Sequence, residues 1–174
     1  MDPSRISIRP FKLSDIDDYM VWASDEKMIK YSKMKAPSSQ EDALRYLKEV
    51  VIPHPWCRSI CLDDRSIGLI IMYPGSNEFI CQGEVGYTLA SEHWGQGIAT
   101  LALKMALSSV FVAFPHMERL QALCNSDNIA SQRVLQKAGF TKEGILRKYI
   151  VIQGKTMDSP VYSFLSTDSI PSSV

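Results

Sequence analysis

Trp94-Gly95-Gln96-Gly97-Ile98-Ala99-Thr100 is the stretch of this sequence with the clearest chemical content. Two glycines stand just before a run of helical periodicity that begins at Ile98, and the segment Glu84 to Leu89 that precedes them reads as a strand. A helix start presents N–H groups that have no intrahelical partner, at the positive end of the helix dipole. Glycine removes the side chains that would keep an anion away from that backbone. The pattern implies a pyrophosphate held by backbone N–H groups; the same residues also suit a tight turn ahead of a core helix. Two other phosphate-binding patterns fail. No G-x-x-x-x-G-K-[ST] run exists, and a dinucleotide fingerprint would need a small residue where Thr100 stands. The fingerprint also needs an acidic residue at the end of the next strand, whereas Glu118 precedes that strand.

A second segment runs from Asn125 to Phe140. Here a strand ends in a polar turn, Asp127 or Asn128 caps a helix, and Ser131 lies one turn inside it. Amides and hydroxyls at such a start can bond an extended, amide-bearing ligand, or can simply cap. Cys124 offers a thiol nucleophile, but His54, His93 and His116 all sit beside Pro or Trp, and none is placed to activate it.

The elements that must position these residues follow from periodicity and punctuation. Ile6-Ser7-Ile8-Arg9-Pro10 alternates as a strand. Ser14 is expected to cap a helix through Ile16, Tyr19, Met20 and Trp22, and Ser38 with Glu41 forms a capping-box pattern for a second. That second helix should bury Ala43, Leu44, Leu47 and Val51 until Pro53 and Pro55 stop it. A hairpin turns at Asp63-Asp64-Arg65 between strands at Arg58 to Leu62 and Ile67 to Tyr73, followed by a turn at Pro74 to Asn77 and the strand Glu84 to Leu89. Ile98, Leu101, Ala102, Met105 and Val112 share a helix face that Pro115 ends. A strand at Leu120 to Cys124, a helix from Asn128 to Ala138 closed by Gly139, and a hairpin of Ile145 to Ile152 with Met157 to Leu165 complete the chain. The class is α+β, or mixed α/β.

The chain has 174 residues, 45% of them hydrophobic, with 19 basic and 19 acidic side chains. That suits one globular domain over residues 1–174, ordered over about 5–166, with a frayed Ser-rich tail at 167–174. Balanced charge gives no footprint for nucleic acid. No apolar run is long enough to span a bilayer, and the N-terminus lacks a signal-peptide pattern, so a cytoplasmic location is expected, with a nuclear one also open. Cys57, Cys61, Cys81 and Cys124 form no metal-binding spacing and read as buried or half-buried thiols; no metal is expected.

Together the two segments resemble the GNAT acetyltransferases, in particular their RimJ/RimL-like, ribosomal-protein-acetylating branch. Trp94-Gly95-Gln96-Gly97-Ile98-Ala99 resembles the family's [QR]-x-x-G-x-[GA] loop, with Trp94 replacing the first Gln or Arg. Asn128-x-x-Ser131, Leu135-x-Lys137-x-Gly139-Phe140, Glu143-Gly144 and Gly154-Lys155-x-x-Asp158 extend the likeness across almost the whole chain. The resemblance implies a twisted mixed sheet of about seven strands with two splayed central strands, and about four helices. It implies acetyl-CoA as co-substrate, with Thr88, Leu89, Trp94, Gly95, Gln96, Gly97, Ile98, Ala99, Thr100, Asn125, Asn128 and Ser131 contacting it.

In the family a neutral amine attacks the thioester directly. Glu84 is then the candidate base, a backbone N–H near Thr88 or Leu89 the oxyanion donor, and Ser131 or Tyr149 the acid that protonates the thiolate. Trp22, Tyr31, Tyr73, Tyr87 and Asp158 are candidates for the acceptor pocket. The acceptor stays open between a protein N-terminus and a small amine such as a polyamine, amino acid or aminoglycoside. An inactive CoA-binding protein is a third reading, and monomer and homodimer are both open.

Overall fold

The computed structural model describes residues 2–32, 34–152 and 154–172. Twelve regular elements carry the fold: β1 (Ile6–Arg9), α1 (Ile16–Ala23), α2 (Glu26–Ile29), α3 (Gln40–Tyr46), β2 (Cys57–Leu62), β3 (Arg65–Pro74), β4 (Gln82–Leu89), α4 (Ile98–Ala113), β5 (Arg119–Leu123), α5 (Ile129–Lys137), β6 (Thr141–Ile152) and β7 (Lys155–Leu165). The strands form a seven-stranded sheet in the order β1-β2-β3-β4-β5-β7-β6. The class is mixed α+β, as expected, with α2 the helix that the sequence reading missed. Contacts divide the chain into two compact units, residues 1–71 with 87–102, and residues 72–86 with 103–174. No helix among the described residues is long and apolar enough to cross a membrane.

In the first unit, β2 and β3 form the expected hairpin, with Leu62 opposite Arg65. Its two turn residues, Asp63 and Asp64, both hold positive φ, at 51° and 63°. Such a loop matches strand twist but ordinarily favours Asn and Gly. Here neighbours hold it: Asp63 N–H donates to Arg5 O at 3.0 Å, and Arg9 Nη2 donates to Asp64 O at 2.7 Å. Arg9 also grips Asp15 with two bonds of 2.8 Å. Asp15 is 5% exposed and accepts the Lys12 N–H as well, so its buried carboxylate is satisfied.

That arrangement corrects the start of α1. Ser14 does not cap it; a 3₁₀ turn over Leu13–Asp15 leads in, and Asp15 is committed to Arg9. At α3 the cap moves by one residue, because Ser39 rather than Ser38 accepts the Asp42 N–H. A π-helical turn over Leu47–Val51 then continues α3 and buries Leu47 and Val51. This unit's core gathers Phe11, Tyr19, Trp22, Met28, Leu47 and Leu69.

In the second unit, β5 pairs antiparallel with β7, and β7 with β6, which forms the sheet edge. Phe164 on β7 meets Phe140 and Phe111 at centroid distances of 5.6 and 6.2 Å. The tail is docked through Pro171. Ser166 N–H donates to Glu118 O, and Lys104 Nζ donates to Pro171 O at 2.8 Å. Pro171 lies where a Cβ on Gly139 would stand, 2.8 Å from its Cδ, so the glycine that closes α5 also makes room for the tail.

Two burial expectations change. Val112 is 79% exposed, and the buried positions of α4 are Ile98, Ala102, Leu103, Ala106, Leu107 and Val110. That stripe takes in Leu103, Ala106 and Leu107, leaves Leu101 and Met105 half-buried, and ends two residues earlier, at Val110. Cys81 is exposed, on the turn that enters β4, whereas Cys57 and Cys61 are buried and Cys124 is half-buried.

Candidate active site

The first unit holds the glycine loop. After Leu89 the chain leaves the sheet, Ala90 N–H donating to Ile67 O at 2.9 Å, and passes through a 3₁₀ turn at Ser91–His93. The Trp94 indole N–H reaches back to Leu89 O at 2.8 Å, and its ring meets that of Tyr31 at 6.5 Å. Gln96 closes the turn by donating to Glu92 O at 3.1 Å. Gly95 and Gly97 hold φ of 75° and 82°, and a Cβ at either would meet nothing within 4 Å. The backbone conformation therefore favours glycine at both positions, while the space beside them is open.

Gly97 O accepts the Leu101 N–H at 3.0 Å, the first intrahelical bond of α4. The N–H groups of Ile98, Ala99 and Thr100 then fall in the turn where the helix supplies no acceptor. The first turn holds no acidic residue that would neutralise the dipole's positive end. Trp94 to Gly97 are exposed, and Ile98, at 1%, anchors the helix beneath them.

Sequence reasoning missed Asp25 in this unit. Its Oδ2 accepts the Ser91 N–H at 2.7 Å, while its Oδ1 caps α2 through Lys27 and Met28. Burial pushes the Asp25 carboxyl upward, but the bonds from Ser91, Met28 and Lys27 outweigh it and hold the pKa below its ordinary value. An aspartate is a common cap residue, but the four residues Glu26–Ile29 are too few to show the periodicity that would mark a helix behind it. Trp22 is a core residue at 1% exposure, edge-on to Tyr19, with its indole N–H on Ser66 Oγ; it is not an open aromatic wall. A cavity of about 310 Å³ in this unit is lined by Asp18, Trp22, Arg65, Ser66, Ala90 and His93, and holds none of the candidate catalytic residues.

The second unit holds Glu84, Asn125, Asn128, Ser131 and Tyr149. Glu84 is half-buried on β4, opposite Gln121 of β5. Parallel pairing of these strands covers Gln82–Glu84 against Arg119–Gln121, and Glu84 stands at the end of that run. Asn125 Oδ1 accepts the Asp127 N–H, and Asn128 Oδ1 caps α5 through the Ser131 N–H at 3.0 Å. The capping expected of Asn128 is thus realised, and it places Ser131 in the first turn of α5. Tyr149 is 55% exposed, on β6 where that strand's register with β7 breaks. Burial pushes the Cys124 thiol up to about 11, with Lys142 pulling weakly the other way. At neutral pH that thiol is protonated and a poor nucleophile.

A family model described as an acetyltransferase (GNAT) domain matches residues 5–141. The chain belongs to the GNAT acetyltransferase family. Among curated relatives of this GNAT chain is the uncharacterized N-acetyltransferase YoaA of Bacillus subtilis (strain 168), 26% identical over 170 residues, covering 95% of this chain and 96% of that protein. Its activity class is accordingly that of an N-acetyltransferase. Among solved structures, a ribosomal-protein-S5-alanine acetyltransferase from Vibrio fischeri has a TM-score of 0.82 at 24% identity, covering 96% of each chain. Mycobacterium smegmatis RimJ, in complex with CoA-disulfide, has a TM-score of 0.79 at 22% identity, covering 92% of this chain and 82% of that one. These likenesses establish the GNAT fold.

Proposed function

We propose that this chain transfers an acetyl group from acetyl-CoA to a primary amine by direct attack within a ternary complex, the whole chain acting as one catalytic domain. The observation that carries the reading is the start of α4: two left-handed glycines with open space beside them, and a first turn without acidic residues. N–H groups of residues 96–100 would take the pyrophosphate. Asn125, Asn128 and Ser131 would contact the pantetheine arm, and Thr88, Leu89 and Trp94 its approach to the reacting end. CoA in the RimJ structure supports the choice of cofactor. The cysteines are free thiols, which fits a reducing compartment such as the cytoplasm.

In this reading a neutral amine adds to the thioester carbonyl, and a backbone N–H near Thr88 or Leu89 stabilises the oxyanion. Collapse forms the amide and releases CoA thiolate, which takes a proton from Ser131 or Tyr149. Glu84 removes the proton that the attacking amine must lose, directly or through water. The raised pKa of Cys124 supports direct attack over an acetyl-cysteine intermediate. The acceptor is a protein N-terminus, a reading in keeping with the ribosomal-protein alanine that the name of the Vibrio fischeri protein gives as its substrate.

The test is an acetyl-CoA transfer screen over N-terminal peptides and small amines, repeated with Glu84→Gln. The substitution keeps shape and removes basicity, so kcat should fall by on the order of 10²-fold with acetyl-CoA affinity little changed. The defect should shrink as pH rises and free amine accumulates without the enzyme's help. Normal turnover by the variant across the pH range would remove Glu84 from the mechanism. Transfer only to small amines would replace the acceptor.

A further inference from the structure

Along the β6–β7 pairing, Leu146 stands opposite Ser159 and Ile150 opposite Met157. Between those pairs Arg147, Lys148 and Tyr149 face Asp158 alone. A bulge of this kind needs a residue outside the extended region, and Lys148 supplies it with φ of 49°. Glycine is the usual occupant of such a position; a lysine there must be held by something else. The Asp158 carboxylate holds it, accepting the Lys148 N–H at 2.8 Å.

Asp158 is tied on its other side as well. Its backbone carbonyl accepts the Ser126 N–H at 3.1 Å and the Ser126 hydroxyl at 2.9 Å. Ser126 belongs to the turn of Asn125 and Asn128, and its own carbonyl accepts Gln132 Nε2 of α5 at 2.8 Å. The next residue, Ser159, donates to Cys124 O at 2.8 Å. One residue therefore joins the bulge bearing Tyr149 to the turn that precedes α5, through its side chain on one side and its main chain on the other.

We propose that Asp158 is a positioning residue: it sets the β6 bulge, and with it Tyr149, according to the state of the Asn125–Ser131 turn, so that acetyl-CoA held at that turn orders the strand segment bearing Tyr149. The inference rests on the acetyl-CoA reading given above. Asp158 acts as a hydrogen-bond acceptor and not as a charge. Asparagine should therefore replace it, whereas alanine removes the acceptor and glutamate displaces it by a methylene.

Amide exchange at Lys148, measured by mass spectrometry with and without acetyl-CoA, tests this without knowledge of the acceptor. In the native protein and in Asp158→Asn, acetyl-CoA should slow exchange at Lys148. In Asp158→Ala, basal exchange should be about five- to tenfold faster, as for the loss of one hydrogen bond, and the response to acetyl-CoA should vanish. Asp158→Glu should behave like the alanine variant, and covers the case in which alanine fails to fold. Calorimetry on the native protein separates the two levels. Absence of acetyl-CoA binding would overturn the cofactor reading itself. Binding without any slowing at Lys148, or an unchanged response in Asp158→Ala or Asp158→Glu, would overturn the role of Asp158 alone. Loss of the response in Asp158→Asn would show that charge matters and not the acceptor, which also overturns it.

Discussion

Helices α4 and α5 are entered by opposite routes. α4 follows Gly95 and Gly97, left-handed and open on the side where a Cβ would project. α5 follows Asn128, whose side-chain Oδ1 already accepts the Ser131 N–H, in a turn where Asn125 accepts from Asp127 and Gln132 reaches back to Ser126. The first start is bare backbone, and its N–H groups need an acceptor from elsewhere. The second meets much of that need with its own side chains, which also present polar groups to a neighbour. A polyanion suits the first, and an amide-rich chain the second.

The strongest way to break the comparison is Gly97→Val. Nothing lies within 4 Å of the new Cβ, so any loss of acetyl-CoA binding would not arise from an internal clash. The positive φ adds a local strain of roughly 1–2 kcal/mol. If the α4 start grips pyrophosphate, blocking two charge-assisted bonds of about 1.5–3 kcal/mol each weakens binding by about 10²- to 10⁴-fold. Calorimetry on the folded variant reads this. Gly144→Val, also open but without positive φ, is the control and should bind normally. Unchanged affinity in Gly97→Val would reduce the loop to a turn.

Gly68→Ala sharpens the comparison from the other side. An added Cβ would lie 2.3 Å from Thr88 O and 3.0 Å from Leu89 Cα, both backbone atoms that cannot rotate away. Here glycine permits two strands to approach, not a ligand. Thermal melts should show a loss of roughly 1–3 kcal/mol from overpacking. Acetyl-CoA affinity of the folded fraction should change by less than about tenfold, or about 1.4 kcal/mol. A larger binding loss than stability loss would reverse the roles of the two glycines.

The sequence displayed these features unequally. The hairpin at Asp63–Asp64, the Asn128 cap and the Gly139 stop were legible because each is local chemistry: turn residues, a capping side chain and a left-handed glycine. The order of strands and helices followed from the same punctuation. Ser14 fits the residue pattern of a cap for α1, but it lies inside the 3₁₀ turn that leads in, and the residue at the helix start, Asp15, gives its carboxylate to Arg9. α2 was too short for periodicity to reveal. Val112 was placed on the buried face because a helical repeat cannot say where burial stops. At the candidate site, the loop and the Asn128–Ser131 start were readable as residue types. The roles of Asp25 and Asp158 were not, because both depend on backbone groups far away in sequence, Ser91 for one and Ser126 for the other.

The smallest effect belongs to Glu143, which ties the sheet edge to its own interior neighbours and, by the contrast drawn here, should leave the ligand unaffected. Arg119 of β5 and Ser163 of β7 both donate to its Oε1, each at 2.7 Å, and Arg119 reaches Oε2 as well. The Arg119 bond first, and the Ser163 bond second, pull the Glu143 carboxyl down to about 2. The ordinary value is 4.5, so the folded-state pKa is depressed. The stabilisation is then fully present above about pH 4.5 and disappears as pH falls toward about 2, because the unfolded state binds the proton first. Its size is limited by exposure, the side chains being 26% and 41% accessible. An exposed pair of this kind contributes roughly 1 kcal/mol or less, and salt screens it further. Glu143→Gln keeps an acceptor for Ser163 and removes the charge. Urea melts at pH 7 should show the variant less stable by at most about 1 kcal/mol, with the gap kept at pH 5, narrowing below about pH 4.5 and closing near about pH 2. Acetyl-CoA affinity at pH 7 should be unchanged. A gap that widened on acidification would mean that Glu143 is protonated in the native state. A fall in affinity would place this ion pair among the groups that serve the ligand.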